Sequence, residues 1–316
     1  MPEIDILMAV KDGEKFIAEQ IDSILNQTFQ DFRLIIRDNA SSDNTPAIID
    51  EYVKKYPGKI QAVHDDVDCT ESFTRNFMQL LTYASADYVM FTDAYDVWLP
   101  YKIQVTLWHM KELERKNPGL PALVFSGLKV VDENLQSMNK CVQYALDIAE
   151  YEQFSNLLMS NVVSGCASMF NRALYTKSKG YVEGMQFAHD SFFAALATLC
   201  GVIEHIPAAM ILYRQHKHNA SGYMGVGGGH GYFVNWLKKI WGIKRSSAGV
   251  KMKCDFLRRN YSEVMLPEKL EELNRFEALL NRNIIVKFFM LLFGKGYKLE
   301  GRLFCKVKYF IRIVCS

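Results

Sequence analysis

The chain has 316 residues and a mass of 36.3 kDa, with 49% hydrophobic, 13% aromatic and 23% charged residues, a globular mixture that excludes a disordered or collagen-like protein. A net charge of +2 excludes a generic polyanion binder, so no nucleic-acid partner is expected. The seven cysteines are odd in number and no two are spaced Cys-x-x-Cys, which argues against a disulfide framework or a zinc ribbon and predicts a reducing compartment.

The opening MPEIDILMAVKDGEKF lacks the charged start, long apolar core and cleavage site of a signal peptide. Its Ile4–Val10 run reads as a buried strand, and EKFIAEQIDSILNQ carries Phe16, Ile17, Ile21, Ile24 and Leu25 at helical spacing. Phe32–Arg37 is the next strand and ends at Asp38. The turn-rich NASSDNTP then leads into a helix, with Thr45 as the expected N-cap and Pro46 at its first position. Lys59–His64, Ser72–Ala84 and Tyr88–Thr92 follow as strand, helix and strand, the last ending at Asp93. This alternation has the spacing of parallel crossovers. A sheet so built takes its ligand at the carboxyl ends of its strands, where Lys11-Asp12, Asp38 to Asp43 and Asp93 to Asp96 all lie.

Beyond residue 100 the alternation loosens. Lys102–Lys116 is a long helix, Ala122–Phe125 a strand, Phe154–Met159 part of a helix and Val162–Phe170 a small apolar stretch. Asp190–Cys200 is a strongly apolar helix, and Val202–Tyr213 suggests two short strands before the polar RQHKHNASG. Five glycines between 225 and 231 mark the expected boundary between a domain of residues 1–222 and a region of residues 223–316 that reads helical and amphipathic. Residues 284–316 hold seven Lys/Arg against Glu300 alone, while the rest has 30 basic and 34 acidic residues. The longest apolar block there, Phe288–Phe293, has six residues, far short of the roughly 18 a bilayer span needs. Such a helix suits an anionic membrane surface, and equally packing on the domain or on a homodimer partner.

Carboxylates at strand ends can accept hydrogen bonds from a base or sugar, or hold a hard divalent cation against a diphosphate. A single such Asp is more often a cap or loop acid, but three in one sheet favour a ligand site. Several segments in order resemble family 2 glycosyltransferases, inverting sugar-nucleotide enzymes, and most closely their bacterial rhamnosyltransferase-like branch. These are ILMAVKDGEKFIAEQIDSILNQTF, RDNASSDNT, TRNF, YVMFTDAYDVWLPYKI, NVVSGCASMFNRAL, AHDSFF and ILYRQHKHNASG, spread over residues 4–222. The resemblance implies an α/β fold of the GT-A (Rossmann-like) type, a mostly parallel sheet flanked by helices with a helical C-terminal extension. It implies nucleotide-sugar contacts at Val10, Lys11, Asp38, Arg75, Asp93, Ala94 and Arg214, with Asp38 on the base and Asp93 facing ribose and metal. Asp190 takes the place of the catalytic base, which removes the acceptor hydroxyl's proton as the sugar is attacked opposite the diphosphate. As a helix N-cap Asp190 would look the same in sequence.

A divalent cation, Mg²⁺ or Mn²⁺, would be held by Asp93, Asp96 and His216. The family, however, usually reads Asp-x-Asp-Asp where this chain reads Asp93-Ala94-Tyr95-Asp96, and a neutral phenol is a poor ligand for either ion. Lys11-Asp12 and Asp38-Asn39 also depart from the family's usual Tyr-Asn and Asp-Asp pairs. Three readings stay open: Asp96 takes over as ligand, the enzyme works with little metal, or activity is lost and a binding subunit remains. The first expectation is an active glycosyltransferase of bacterial surface polysaccharide assembly. It would move a sugar, with rhamnose from dTDP among the candidates, onto a saccharide or lipid-linked acceptor at the cytoplasmic face of the membrane.

Overall fold

Strand β1 (Ile4–Val10) is apolar at every position but one. The computed structural model describes residues 1–69, 72–142, 157–158, 163–178, 183–185, 187–216 and 249–282, and in it β1 is buried along its whole length. Burial on both faces is what a near-continuous apolar strand requires of a parallel sheet. Asp5 is tolerated there because Arg33 donates to both its oxygens at 2.9 and 3.0 Å, and the Ser85 and Ala86 N–H groups add bonds of 2.7 and 3.0 Å.

Helix α1 (Ile17–Leu25) leads to β2 (Phe32–Asp38), α2 (Thr45–Lys55) to β3 (Ile60–Val63), and α3 (Phe73–Leu80) to β4 (Tyr88–Asp93). A two-residue β5 (Val97–Trp98) precedes α4 (Lys102–Lys116), β6 (Ala122–Val131) and β7 (Ser137–Val142). Then come β8 (Ser168–Asn171), α5 (Arg172–Lys177), α6 (His189–Cys200) and β9 (Val202–Arg214). Residues 249–261 form α7, and α8 spans Pro267–Leu280. The sheet runs β3-β2-β1-β4-β8-β6-β9-β5, with β7 beside β6. Its first four strands are parallel, β8 is antiparallel to both its neighbours, and β9 is parallel to β6. Even-numbered residues of β1 face α1, α2 and α4, whereas Leu7 and Ala9 face α3, α6, α7 and α8. The expected α/β sheet flanked by helices is therefore present.

Several elements differ from expectation. Thr45 is the first residue of α2 and Asn44 its cap; the Thr45 hydroxyl instead serves the neighbouring loops. Val202–Tyr213 is one strand, not two, because the register against β6 shifts where Pro207 supplies no N–H, between the pairs Ser126–Ile206 and Gly127–Ala209. The third helix stops at Leu80 and tightens into a 3₁₀ turn over Leu81–Tyr83. Helices α7 and α8 share the apolar cluster of α6 through Leu257, Tyr261, Leu273 and Phe276. The Tyr261 hydroxyl also donates to the Ser178 carbonyl at 2.5 Å. The glycine-rich stretch at 225–231, the tail at 284–316 and most of 154–159 lie outside the described residues. Among the described residues no helix is long and apolar enough to cross a membrane, and the free cysteines, Cys69, Cys166, Cys200 and Cys254, are buried.

Candidate active site

The register of the parallel strands gathers the predicted acids. Val10 pairs with Asp38 across β1 and β2, and Ala9 pairs with Asp93 across β1 and β4. Two loops leave these ends and are knitted together. The N–H groups of Asp12, Gly13 and Glu14 donate to Ser41 Oγ, Thr45 Oγ1 and Asp43 Oδ2 at 2.8, 2.8 and 3.0 Å. In return Asp12 Oδ1 accepts the Ser42 N–H at 2.7 Å, and Glu14 accepts the Asn44 N–H at 2.9 Å. Asp12 and Ala40 take left-handed backbone at φ 51° and 58° to make these turns.

Above the strand ends opens a cleft of about 600 Å³. Of the predicted nucleotide-sugar residues, Val10, Lys11, Asp93 and Ala94 line it, together with His216. Phe16, Asn39, Phe73, Asn76 and Tyr95 complete much of its wall. Asp38 instead lines a neighbouring pocket of about 420 Å³ with Arg37, His64 and Asp65, and its carboxylate accepts both the Ser41 N–H and the Ser41 hydroxyl. Arg75 is exposed and does not line the cleft; its α3 neighbours Phe73 and Asn76 do. Arg214 is 3% exposed and its guanidinium is given to protein groups: the Tyr95 carbonyl at 2.7 Å, the Glu133 carbonyl at 2.6 Å, and Glu19. It thus ties the end of β9 to the Tyr95-Asp96 turn.

Behind Asn76, Arg37 of β2 forms a second polar knot. It donates to Asp65 through Nε and Nη2 at 3.1 and 2.7 Å, to Asn76 at 2.6 Å and to the Val67 carbonyl at 2.5 Å. The Arg37 hydrogen bond holds the Asp65 carboxyl well below the usual carboxylate range, against the opposing effect of its burial.

The acids of the FTDAYDVW segment divide into two environments. Asp93 is half-buried at the cleft floor, and burial pushes it up to about 7 despite a hydrogen bond from Tyr95, with the charge of Asp190 adding to the rise. Tyr95 thus donates to the acid two residues before it. Asp96 is fully buried beneath, where burial and the charge of Asp93 raise it well above the ordinary value, and its Oδ1 accepts the Arg214 N–H at 3.1 Å. Ligand atoms of Asp93, Asp96 and Cys166 lie within 4.8 Å of one another. This donor set can hold a divalent cation, with Asp93 the oxygen that faces the cleft. The third member of the group is Cys166, whereas His216 packs by its ring against Tyr95 and Phe16, at 4.8 and 5.2 Å between centroids.

Asp190 is the second residue of α6, whose cap position is Ala188 without a side-chain cap bond, so Asp190 is not the N-cap. Its neighbour His189 is 5% exposed and stacks on Phe77 at 4.1 Å, with the edges of Phe91 and Phe73 at 5.0 and 5.2 Å. Burial pulls the imidazole down to about 3, so it is neutral at physiological pH. Gly165 abuts this helix start: a Cβ there would lie 2.5 Å from His189 Nε2 and 3.5 Å from the Asp190 Cβ. Gly165→Ala should therefore push the start of α6 outward, costing about 1–3 kcal/mol as overpacking does. The expected readout is a lower unfolding midpoint; an unchanged midpoint would show that His189 has room to move.

A sequence model described as glycosyl transferase family 2 matches residues 5–178. The dTDP-rhamnosyl transferase RfbG of Shigella flexneri is 27% identical over 228 residues, which cover 68% of this chain and 73% of that protein. Across the first curated relatives matched, the chain spans from 36% to 73% of their length. Among solved structures, S. aureus TarS 1–349 in complex with UDP-GlcNAc superposes with a TM-score of 0.56 at 15% identity, over 88% of this chain and 80% of that one. The mannosyltransferase PcManGT from Pyrobaculum calidifontis, in complex with GDP-Man and Mn²⁺, gives 0.53 at 15% identity over 99% and 86%. These two likenesses speak for the fold.

Proposed function

The chain belongs to glycosyltransferase family 2, and from that premise we propose that it transfers a sugar, with inversion, from a nucleoside-diphosphate donor to a saccharide or lipid-linked acceptor of a bacterial surface polysaccharide. The observation that carries this reading is that Asp93 at the end of β4 lines one cleft above the strand ends with Val10, Lys11 and Ala94, while the charge of Asp190 acts on Asp93. Asp190 removes the acceptor hydroxyl's proton, and Lys11, exposed at the rim, offers its ammonium to the diphosphate. Aromatic faces of Phe16 and Phe73 exclude water from the reacting centre. A divalent cation held by Asp93, with Asp96 behind it, would when bound offset charge on the leaving diphosphate. The likeness to RfbG makes dTDP-rhamnose the first donor to try. The basic tail suggests the cytoplasmic membrane surface as the place of action.

The test is transfer and donor hydrolysis with UDP-, dTDP- and GDP-sugars, with and without Mn²⁺. Turnover of none of them, alongside tight nucleotide binding, would favour the inactive binding subunit that Tyr95 keeps in view. Because the Tyr95 phenol occupies the carboxylate position, native nucleoside-diphosphate binding should depend only weakly on Mn²⁺. Tyr95→Asp should strengthen that dependence by about tenfold, since a hard charged oxygen suits the ion. Calorimetry with metal and with chelator checks this. Tight, fully Mn²⁺-dependent binding by the native chain would show that Asp93 and Asp96 suffice.

A further inference from the structure

The first turn of α3 puts Phe73 and Asn76 three residues apart on one face, and both line the cleft. Ser72 caps that turn, its Oγ accepting the Arg75 N–H at 3.2 Å. Phe73 is 41% exposed, yet its ring is braced: it meets the Phe77 ring at 4.9 Å and 81°, and the His189 ring at 5.2 Å and 62°. The other large apolar side chains exposed among the described residues, Met1, Tyr101, Trp108 and Met252, do not line the cleft. A lone exposed Phe is ordinary on a protein surface. One braced by two rings inside a cleft of about 600 Å³ is a pre-organised apolar contact for a ligand.

Asn76 supplies the polar half. It is 3% exposed, and its Oδ1 accepts from Arg37 Nη1 at 2.6 Å. A guanidinium only donates, so this bond fixes which way the amide points. Asp65 anchors Arg37 in turn. Among the described residues nothing accepts from Asn76 Nδ2. The turn therefore offers an aromatic face and an oriented N–H donor side by side, and neither carries a charge. A pyranose matches that pair, because its C–H groups make an apolar face and its hydroxyl oxygens accept hydrogen bonds.

We propose that Phe73 and Asn76 form a sugar subsite, with the C–H face of a pyranose on the Phe73 ring and one hydroxyl oxygen accepting from Asn76 Nδ2. Phe73 packs against His189, the chain neighbour of Asp190, so a sugar seated there lies near the residue that takes the acceptor's proton. The choice of a sugar over a nucleobase rests on that proposed function. The donor's sugar and the acceptor's terminal sugar present the same chemistry, and the experiment separates them.

The experiment uses the full chain and needs no turnover. Saturation-transfer NMR with methyl rhamnoside and methyl glucoside should show the native protein saturating ring protons on one face of a sugar. Phe73→Ser should weaken that binding by at least about fivefold and Phe73→Tyr should restore it. The dTDP affinity of both variants, measured by calorimetry, should stay native. Removal of one particular sugar hydroxyl should weaken native binding by about three- to tenfold, and should cost nothing further in Asn76→Ala. Displacement of methyl rhamnoside by dTDP-rhamnose and not by dTDP assigns the subsite to the transferred sugar; binding retained beside dTDP-rhamnose assigns it to the acceptor. No saturation by the native chain, native sugar binding in Phe73→Ser, displacement by dTDP itself, or a parallel loss of dTDP affinity would overturn the proposal. If Asn76→Ala does not fold, the Phe73 variants decide alone. A chain that transfers nothing yet holds a sugar through Phe73 would count against the proposed function only.

Discussion

Asp190→Asn is expected to lower sugar transfer by about 10²–10⁴-fold while nucleotide affinity stays within a few-fold. Asparagine keeps the shape of the side chain but cannot accept the acceptor's proton. The loss should not be a folding defect: an acid in the first turn of a helix contributes only about 0.3–1 kcal/mol through the dipole, and the cap position is Ala188. The variant carries a second signature. Asp93 is held up to about 7 by burial first and by the charge of Asp190 after it, with Tyr95 opposing. Removing the Asp190 charge should move Asp93 downward, and the pH profile of nucleotide binding with it. Single-turnover transfer and a binding titration across pH 5–9 measure the two effects. Native-rate transfer would remove Asp190 from the role of base.

Arg37→Met should have the largest effect on stability, about 3–5 kcal/mol, because removing one member of a buried ion pair leaves the other uncompensated. Arg37 is 4% exposed, and Asp65, 13% exposed at its side chain, would face Gln79 and Tyr83 without its cation. Because the native carboxyl of Asp65 is lowered by Arg37, the pair's contribution is fully present above the unfolded carboxyl value of about 3.9. It fades as pH falls through the lower native value. Native and Arg37→Met proteins should therefore differ most at neutral pH and converge in acid. Urea midpoints at pH 7 and pH 3 decide it, and a gap that stays constant would assign the loss to packing.

The parts of the fold that were legible are those where one local signal suffices. The apolar run of Ile4–Val10 and the period of Lys102–Lys116 match β1 and α4 residue for residue, and strand ends bring Asp93 and Val10 to the cleft. The rest depends on contacts that spacing does not carry. Two-residue β5 has no period to detect, yet it sets Asp96 against Arg214, 118 residues away. Arg214, expected among the nucleotide-sugar contacts, is buried and donates to the Tyr95 and Glu133 carbonyls, which no spacing announces. Arg75 in TRNF is expected at the donor, but Phe73 and Asn76 line the cleft and Arg75 is exposed. Cys166 sits in a 3₁₀ turn far along the chain, and a lone cysteine gives no hint of the carboxylates it meets. Lys102 looks like any lysine opening a helix until its burial is seen.

The knitted loops of the first and second strands have a consequence for how such a chain changes over generations. Each stitch joins residues about thirty positions apart: Asp12 with Ser41 and Ser42, Gly13 with Thr45, Glu14 with Asn44. A substitution on one side strands a backbone N–H on the other, at a cost that a matching change can recover. The two segments should therefore be inherited as one unit. Across descendants of this sequence, positions 12–14 and 41–45 should drift in step, and the loop pair should move between proteins whole or not at all.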